Sequence, residues 1–193
     1  MNRNKRMSFE NRKEEIKKVA AKVFVKKGFS NTSMEDLIKE SGLSKGGFYH
    51  YYKNTTDIIY DLMLDGIEYR NEIMKKSLDV KGKLSPDFFA SEMTKKVTDR
   101  TSYMDVYVEF LLAKKRNEKL EGVFELLKLR TIEAFKSVNK DFSKYSMQSD
   151  KFDLLTFFVN AMILSSNILN GEDILNANRD LLDEIFLLIL NKD

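Results

Sequence analysis

Residues 32–53, TSMEDLIKESGLSKGGFYHYYK, decide how this chain folds. Ser33 and Asp36 stand at the S-x-x-D spacing of a capping box, in which each side chain satisfies the other's backbone N–H. The helix they open carries Met34, Leu37 and Ile38 on one inward face and ends at Gly42, a residue suited to a left-handed turn. Ser44 then caps a third helix, expected over Lys45 to about Tyr52. Phe48 and Tyr52, four residues apart, face inward, which leaves Lys45, Gly47, Tyr49, His50 and Tyr51 outward or at the rim. Two short helices about a glycine turn form a helix-turn-helix, whose second helix enters the major groove of DNA.

Upstream, Ile16, Val19, Ala20, Val23 and Phe24 fall at i, i+3, i+4, i+7 and i+8, one apolar helical stripe. That helix is expected from about Glu10 to Lys27, stopped by Gly28, with Phe29 packing past the cap. Several features of the 32–53 stretch suit DNA. Hydroxyl caps at Ser33 and Ser44 open helices whose N–H groups can meet phosphate. Gly46 and Gly47 carry no side chain to hold the backbone off, while Tyr49, His50 and Tyr51 can donate to phosphates or pack on thymine methyls. Lys45 and Lys53 add charge. The rival is an ordinary three-helix subdomain with an aromatic core, and it suits Phe48 and Tyr52. His50 is the only histidine and there is no cysteine, so no metal site is expected. No nucleophile elbow surrounds any serine, so neither catalytic residues nor cofactors are expected.

Charge is divided along the chain. Residues 1–60 hold 13 Lys/Arg against 7 Asp/Glu, and residues 61–193 hold 20 against 23. A basic head on a mildly acidic body fits a protein that meets a polyanion at one end. One proline, eight glycines and abundant Lys, Glu and Leu favour an all-α fold. The absence of cysteine fits a reducing cytosol, and no apolar run follows the basic N-terminus as a secretory signal would require. The longest apolar stretch, Leu154 to Leu164, is interrupted by Thr156 and Asn160 and falls short of a bilayer span. The expectation is a soluble cytoplasmic protein with no membrane partner.

With these residues in place, the chain resembles the tetracycline-repressor (TetR) family of bacterial transcriptional regulators. The resemblance rests on Ile16, Ala20 and Phe24 in the opening helix and on Gly28, Phe29, Thr32 and Ser33 in the turn after it. It continues through Leu37 to Gly46 and Phe48 to Lys53, covering roughly residues 10–65. It implies an obligate homodimer with a three-helix DNA-binding head and a larger body that binds a small effector. It places DNA contacts on Thr32, Ser33, Ser44, Lys45, Gly46, Gly47, Tyr49, His50, Tyr51 and Lys53. Two positions depart from the family pattern. Gly47 replaces a small side chain able to touch a base, and Thr55 replaces a lysine that grips phosphate. An N-terminal arm with Arg3, Lys5, Arg6, Arg12 and Lys13 is a candidate source of the missing charge.

Beyond the head, Asn54 as N-cap and Asp57 at N3 open a fourth helix expected to reach about Leu78. Residues Val80–Pro86 form the clearest break, with Pro86 in the first turn of the next helix. Further helices are expected near 86–100, 103–115, 117–140, 149–170 and 178–191, about nine in all. Their turns fall at Lys114–Asn117, Phe142–Ser149 and Gly171–Asn178. Leu154–Leu169 and Leu181–Leu190 are apolar on most faces, as dimerising helices of a two-fold bundle would be, although body-core helices read the same way. Adaptable side chains at Met63, Phe89, Met93, Tyr103, Tyr107, Phe110, Phe124, Phe158 and Met162 suit an apolar effector cavity, or simply a core. Arg130 can meet an anionic ligand or pair with Glu133.

The resulting expectation divides the chain into a head, residues 1–53, and an effector-binding and dimerising body, residues 54–193. It is a repressor that binds a near-palindromic operator as a homodimer through its last two helices and is released by a small apolar or amphipathic effector. The alternatives are an activator or nucleoid-type protein without effector, and a helical ligand-binding protein that has lost DNA binding.

Overall fold

The structure, a computed structural model, describes residues 8–138 and 149–191. All regular structure among them is helical, as expected from the sequence. The order is α1 (Phe9–Lys27), a 3-10 turn (Phe29–Asn31), α2 (Met34–Ser41), α3 (Lys45–Tyr49), α4 (Thr55–Lys81) and α5 (Pro86–Thr98). There follow α6 (Ser102–Lys114), α7 (Glu118–Val138), α8 (Ser149–Ile168), α9 (Glu172–Ala177) and α10 (Arg179–Asn191). Arg3, Lys5 and Arg6 of the arm lie outside the described residues, as does the turn expected at Phe142–Ser149 apart from Ser149 itself.

The helix ends are set where the cap residues stand. Ser33 Oγ accepts from the Asp36 N–H while Asp36 Oδ2 accepts from the Ser33 N–H at 2.8 Å, a complete capping box. Asn54 Oδ1 accepts from the Asp57 N–H at 2.9 Å, and Ser85 Oγ accepts from the Phe88 N–H ahead of Pro86. Gly42 closes α2 at φ 67°, and Gly28 closes α1 at φ 87°. Both are conformations in which a Cβ would be strained.

Three expectations need correction. The stretch read as a turn at Gly171–Asn178 contains the short helix α9, so the described residues hold ten α-helices and not about nine. Glu172 and Asp173 in its first turn complement the positive end of the helix dipole, which offsets the absence of a side-chain cap. Helix α3 ends at Tyr49, not near Tyr52, because two of its five residues are glycine; the Tyr52 N–H still bonds Phe48 O at 3.2 Å. Helix α4 runs past Leu78 to Lys81, where the Gly82 N–H bonds Leu78 O and Gly82 adopts φ 68°.

The chain divides into two compact units, neither continuous in sequence. The first comprises Met1–Leu64 and Asp105–Phe124. Its core includes Ile16, Ala20, Phe24, Phe29, Leu37, Phe48, Tyr52, Ile58 and Ile59, together with Val106, Phe110 and Leu120. The second comprises Asp65–Met104 and Glu125–Asp193. At its centre α5 buries eight side chains, Phe88, Phe89, Ala90, Glu92, Met93, Thr94, Val97 and Thr98, and α10 packs along it. Burial of this order stabilises by about 1.5–3 kcal/mol per large apolar side chain, before conformational entropy is set against it. Arg130 is exposed and its Nη1 pairs with Glu133 Oε2 at 2.9 Å. Among the described residues no helix is long and apolar enough to cross a membrane.

Candidate nucleic-acid interface

The first unit presents α3 on a rigid support. Phe48 is fully buried and Tyr52 nearly so, which fixes the roll of the helix and turns Lys45 and His50 outward. The Tyr52 hydroxyl donates to Asp61 Oδ2 at 2.9 Å, and Lys13 Nζ reaches the same oxygen at 2.7 Å. This three-residue clasp ties the segment after α3 to α1 and α4. It also commits Lys13, and Arg12 is likewise paired, to Glu15 at 2.7 Å. Phe9, in the first turn of α1, lies 4.7 Å from the Tyr51 ring and meets His50 edge-on at 5.7 Å.

The residues expected to touch DNA are not equivalent. Ser33 and Ser44 are exposed and act as caps, Ser44 Oγ accepting from the Gly47 N–H at 3.2 Å. Thr32 is buried and its hydroxyl donates to Gly28 O at 2.8 Å, so it closes the joint between α1 and α2. Lys45, Gly46 and His50 are exposed, while Gly47, Tyr49 and Tyr51 are half-buried. Lys53 Nζ donates to Tyr49 O at 2.6 Å, neutralising a carbonyl at the end of α3. Lys45 makes no ion pair among the described residues. A Cβ at Gly47 would stand 3.0 Å from Ser44 Oγ. A side chain there would therefore crowd the atom that caps the helix.

Asp36 anchors the entry to α2. Lys27 Nζ meets its Oδ2 at 2.5 Å, and that hydrogen bond, followed by those from Ser33, holds the carboxyl well below the usual carboxylate range. Glu109 carries no local sequence signal as a functional residue. From α6, its Oε2 accepts from the Phe29 N–H at 3.1 Å across 80 residues of sequence. It thereby caps the 3-10 turn just before the helix-turn-helix.

The effector candidates fall in both units. Met63, Tyr107, Phe110 and Phe124 belong to the first. There Phe110 stacks with Tyr107 at 6.1 Å and with Phe124 at 6.4 Å, and Lys114 Nζ lies 4.4 Å from the Phe124 centroid. Phe89, Met93, Tyr103, Phe158 and Met162 belong to the second, where Phe89 and Met93 are buried and Phe158 and Met162 half-buried.

Residues 16–61 match the family of bacterial regulatory proteins of the tetR type. The HTH-type transcriptional regulator YfiR of Bacillus subtilis (strain 168), itself uncharacterized, is 30% identical over 116 residues, 59% of this chain and 57% of that one. YerO of the same organism, also an uncharacterized HTH-type transcriptional regulator, is 25% identical over 134 residues, 65% of this chain and 45% of its own. The chain thus spans about half the length of the curated relatives it matches. In fold, it is similar to Salmonella enterica GusR, with TM-score 0.74 at 17% identity over 98% of this chain and all of that one. It is also similar to FadR of Bacillus subtilis, solved in complex with stearoyl-CoA, with TM-score 0.67 at 16% identity over 90% and 97% of the two chains. Regulators of the tetR type are DNA-binding transcription factors and not enzymes. Residues 16–61 thus carry the head of the tetR type of bacterial regulatory proteins, on a chain whose fold is that of solved TetR-family regulators.

Proposed function

We propose that this protein is a ligand-responsive transcriptional repressor of the cytoplasm, holding a near-palindromic operator as a homodimer until a small apolar or amphipathic effector releases it. The observation that carries the reading is the outward face of α3. Lys45 stands exposed and unpaired beside the bare backbone of Gly46, with Tyr49 and His50 on the solvent side of a helix pinned through Phe48 and Tyr52. In use, Lys45, Tyr49, His50, Tyr51 and Lys53 meet phosphates and base edges, with the remaining first-turn N–H groups behind Ser33 and Ser44 turned to the DNA backbone. Gly46 and Gly47 admit the duplex closely, and Thr32 shapes the joint behind them. Paired recognition helices then enter successive major grooves about 34–36 Å apart.

Self-association is supported by the apolar surface that α8 and α10 leave uncovered in the single chain. Phe157 is 67% exposed and Leu188 70% exposed, and Leu154, Ile168 and Leu181 are exposed on the same two helices, apolar side chains of the kind an interface covers. Support for an effector comes from the buried aromatic and methionine side chains of the body and from FadR, which shares the fold and was solved with stearoyl-CoA. Residues 1–53 form the reading head and residues 54–193 the effector-binding and dimerising body. The effector acts through α4 and releases DNA to the extent that it binds one head spacing better than the other.

The reading is tested by selecting bound fragments from genomic DNA and comparing wild type with Lys45→Ala and Tyr49→Ala. Each substitution should weaken binding roughly tenfold or more at low salt while leaving the oligomeric state intact, and log affinity should fall linearly with log salt. Unaltered affinity in both variants, or a flat salt response, sinks the assignment.

A further inference from the structure

We infer that Arg70 of α4 and Lys96 of α5 form a seat for the anionic head of an amphipathic effector, a site that rests on the effector-responsive reading and gives the ligand its chemical class. Glu92, Lys95, Lys96 and Asp99 fall at i, i+3, i+4 and i+7 of α5, so this helix carries one charged face beside its buried apolar one. Arg70 meets that face. Its Nη2 donates to the Glu92 backbone carbonyl and lies 3.3 Å from Glu92 Oε2. The other Glu92 oxygen accepts from Lys95 Nζ at 2.7 Å, and Glu92 is completely buried. Asp99 is held at 2.8 Å by Arg179.

Of the three cations on this face, Arg70 and Lys95 divide the Glu92 carboxylate between them, and the Asp99 charge also acts on Arg70. Lys96 is the cation left over: among the described residues it makes no ion pair or hydrogen bond. The residue is half-buried, and burial, with the Arg70 charge second, pushes its ammonium down to about 8. Arg70 contributes a further orphan, since its Nε is buried and has no acceptor. An unpaired charge and an unsatisfied donor in an interior are each costly. A carboxylate or phosphate between Arg70 and Lys96 would satisfy both. On the same two helices, buried Met74, Phe89, Met93 and Val97 provide the apolar surroundings a hydrocarbon tail requires.

The test uses the full chain and three probes of equal tail length: decanoate, decyl phosphate and decanol. Binding is followed by calorimetry and by the rise in melting temperature. At least one anion should bind about tenfold or more tightly than decanol, as a charge-assisted contact warrants. The tighter of the two identifies the head as carboxylate or phosphate. Lys96→Met should abolish the preference for the anion, and Lys96→Arg should restore it; helical circular dichroism checks that both variants are folded. Equal binding of decanol and both anions overturns the proposal, as does wild-type anion affinity in Lys96→Met or binding of neither anion. Selection from genomic DNA without probe separates the two readings. DNA binding with no anion preference sinks only this site, whereas an anion preference without DNA binding sinks only the regulator.

Discussion

Gly46 and Gly47 stand side by side in the first turn of α3, yet their surroundings differ. Nothing lies within 4 Å of a Cβ built at Gly46, whereas one at Gly47 crowds Ser44 Oγ. Gly46→Ala should therefore stabilise the protein by about 0.5–1 kcal/mol in urea denaturation, the usual helical gain over glycine, and at the same time weaken DNA binding. Unchanged affinity would show that DNA does not approach the backbone there. Asp36 sets a different kind of test. Its folded carboxyl titrates below the ordinary aspartate value of about 3.8 because Lys27 and then Ser33 bond its charged form. The resulting stability is fully present above that value and is lost as pH falls below it. An acid titration followed by circular dichroism should have a shallower slope in Asp36→Asn than in wild type. These local devices were legible in the sequence because a cap, its box partner and a terminating glycine sit within a few residues of each other.

At the scale of elements, legibility depended on how local the cause was. The starts of α2, α4 and α5 followed from Ser33, Asn54 and Pro86. Helix α9 did not, because six residues, Glu172–Ala177, are too few to show an apolar stripe. Neither the Glu109 cap nor the packing of Phe9 on His50 and Tyr51 could be read from sequence, since each joins residues far apart in the chain. The same distance makes Glu109 informative. Glu109→Ala leaves the part-buried Phe29 N–H without its acceptor and should cost about 1–3 kcal/mol. Hydrogen exchange should quicken at Phe29 itself. Glu109→Gln keeps an amide oxygen able to accept and should cost less; equal losses in the two variants would mean that charge, not the hydrogen bond, holds the contact.

For the molecule as a whole, the exposed apolar residues of α8 and α10 are where the proposed homodimer is tested. Leu188, 70% exposed in the single chain, gives a cleaner test than a residue facing the core of its own subunit. Leu188→Lys should yield a folded monomer by analytical ultracentrifugation; a dimer of wild-type stability would move the interface elsewhere. The effector candidates were legible only as a composition of aromatic and methionine residues. Sequence could not assign Met63, Tyr107, Phe110 and Phe124 to one compact unit and Phe89, Met93, Tyr103, Phe158 and Met162 to the other. The interleaving of those units, residues 1–64 with 105–124 and 65–104 with 125–193, also bears on how such a gene can diversify. A single recombination crossover between Phe29 and α10 separates Phe29 from Glu109 or divides the second unit's own core. Such a crossover breaks contacts within one unit, so a point substitution on the exposed face of α3 disturbs the fold less than the exchange of a whole head between relatives.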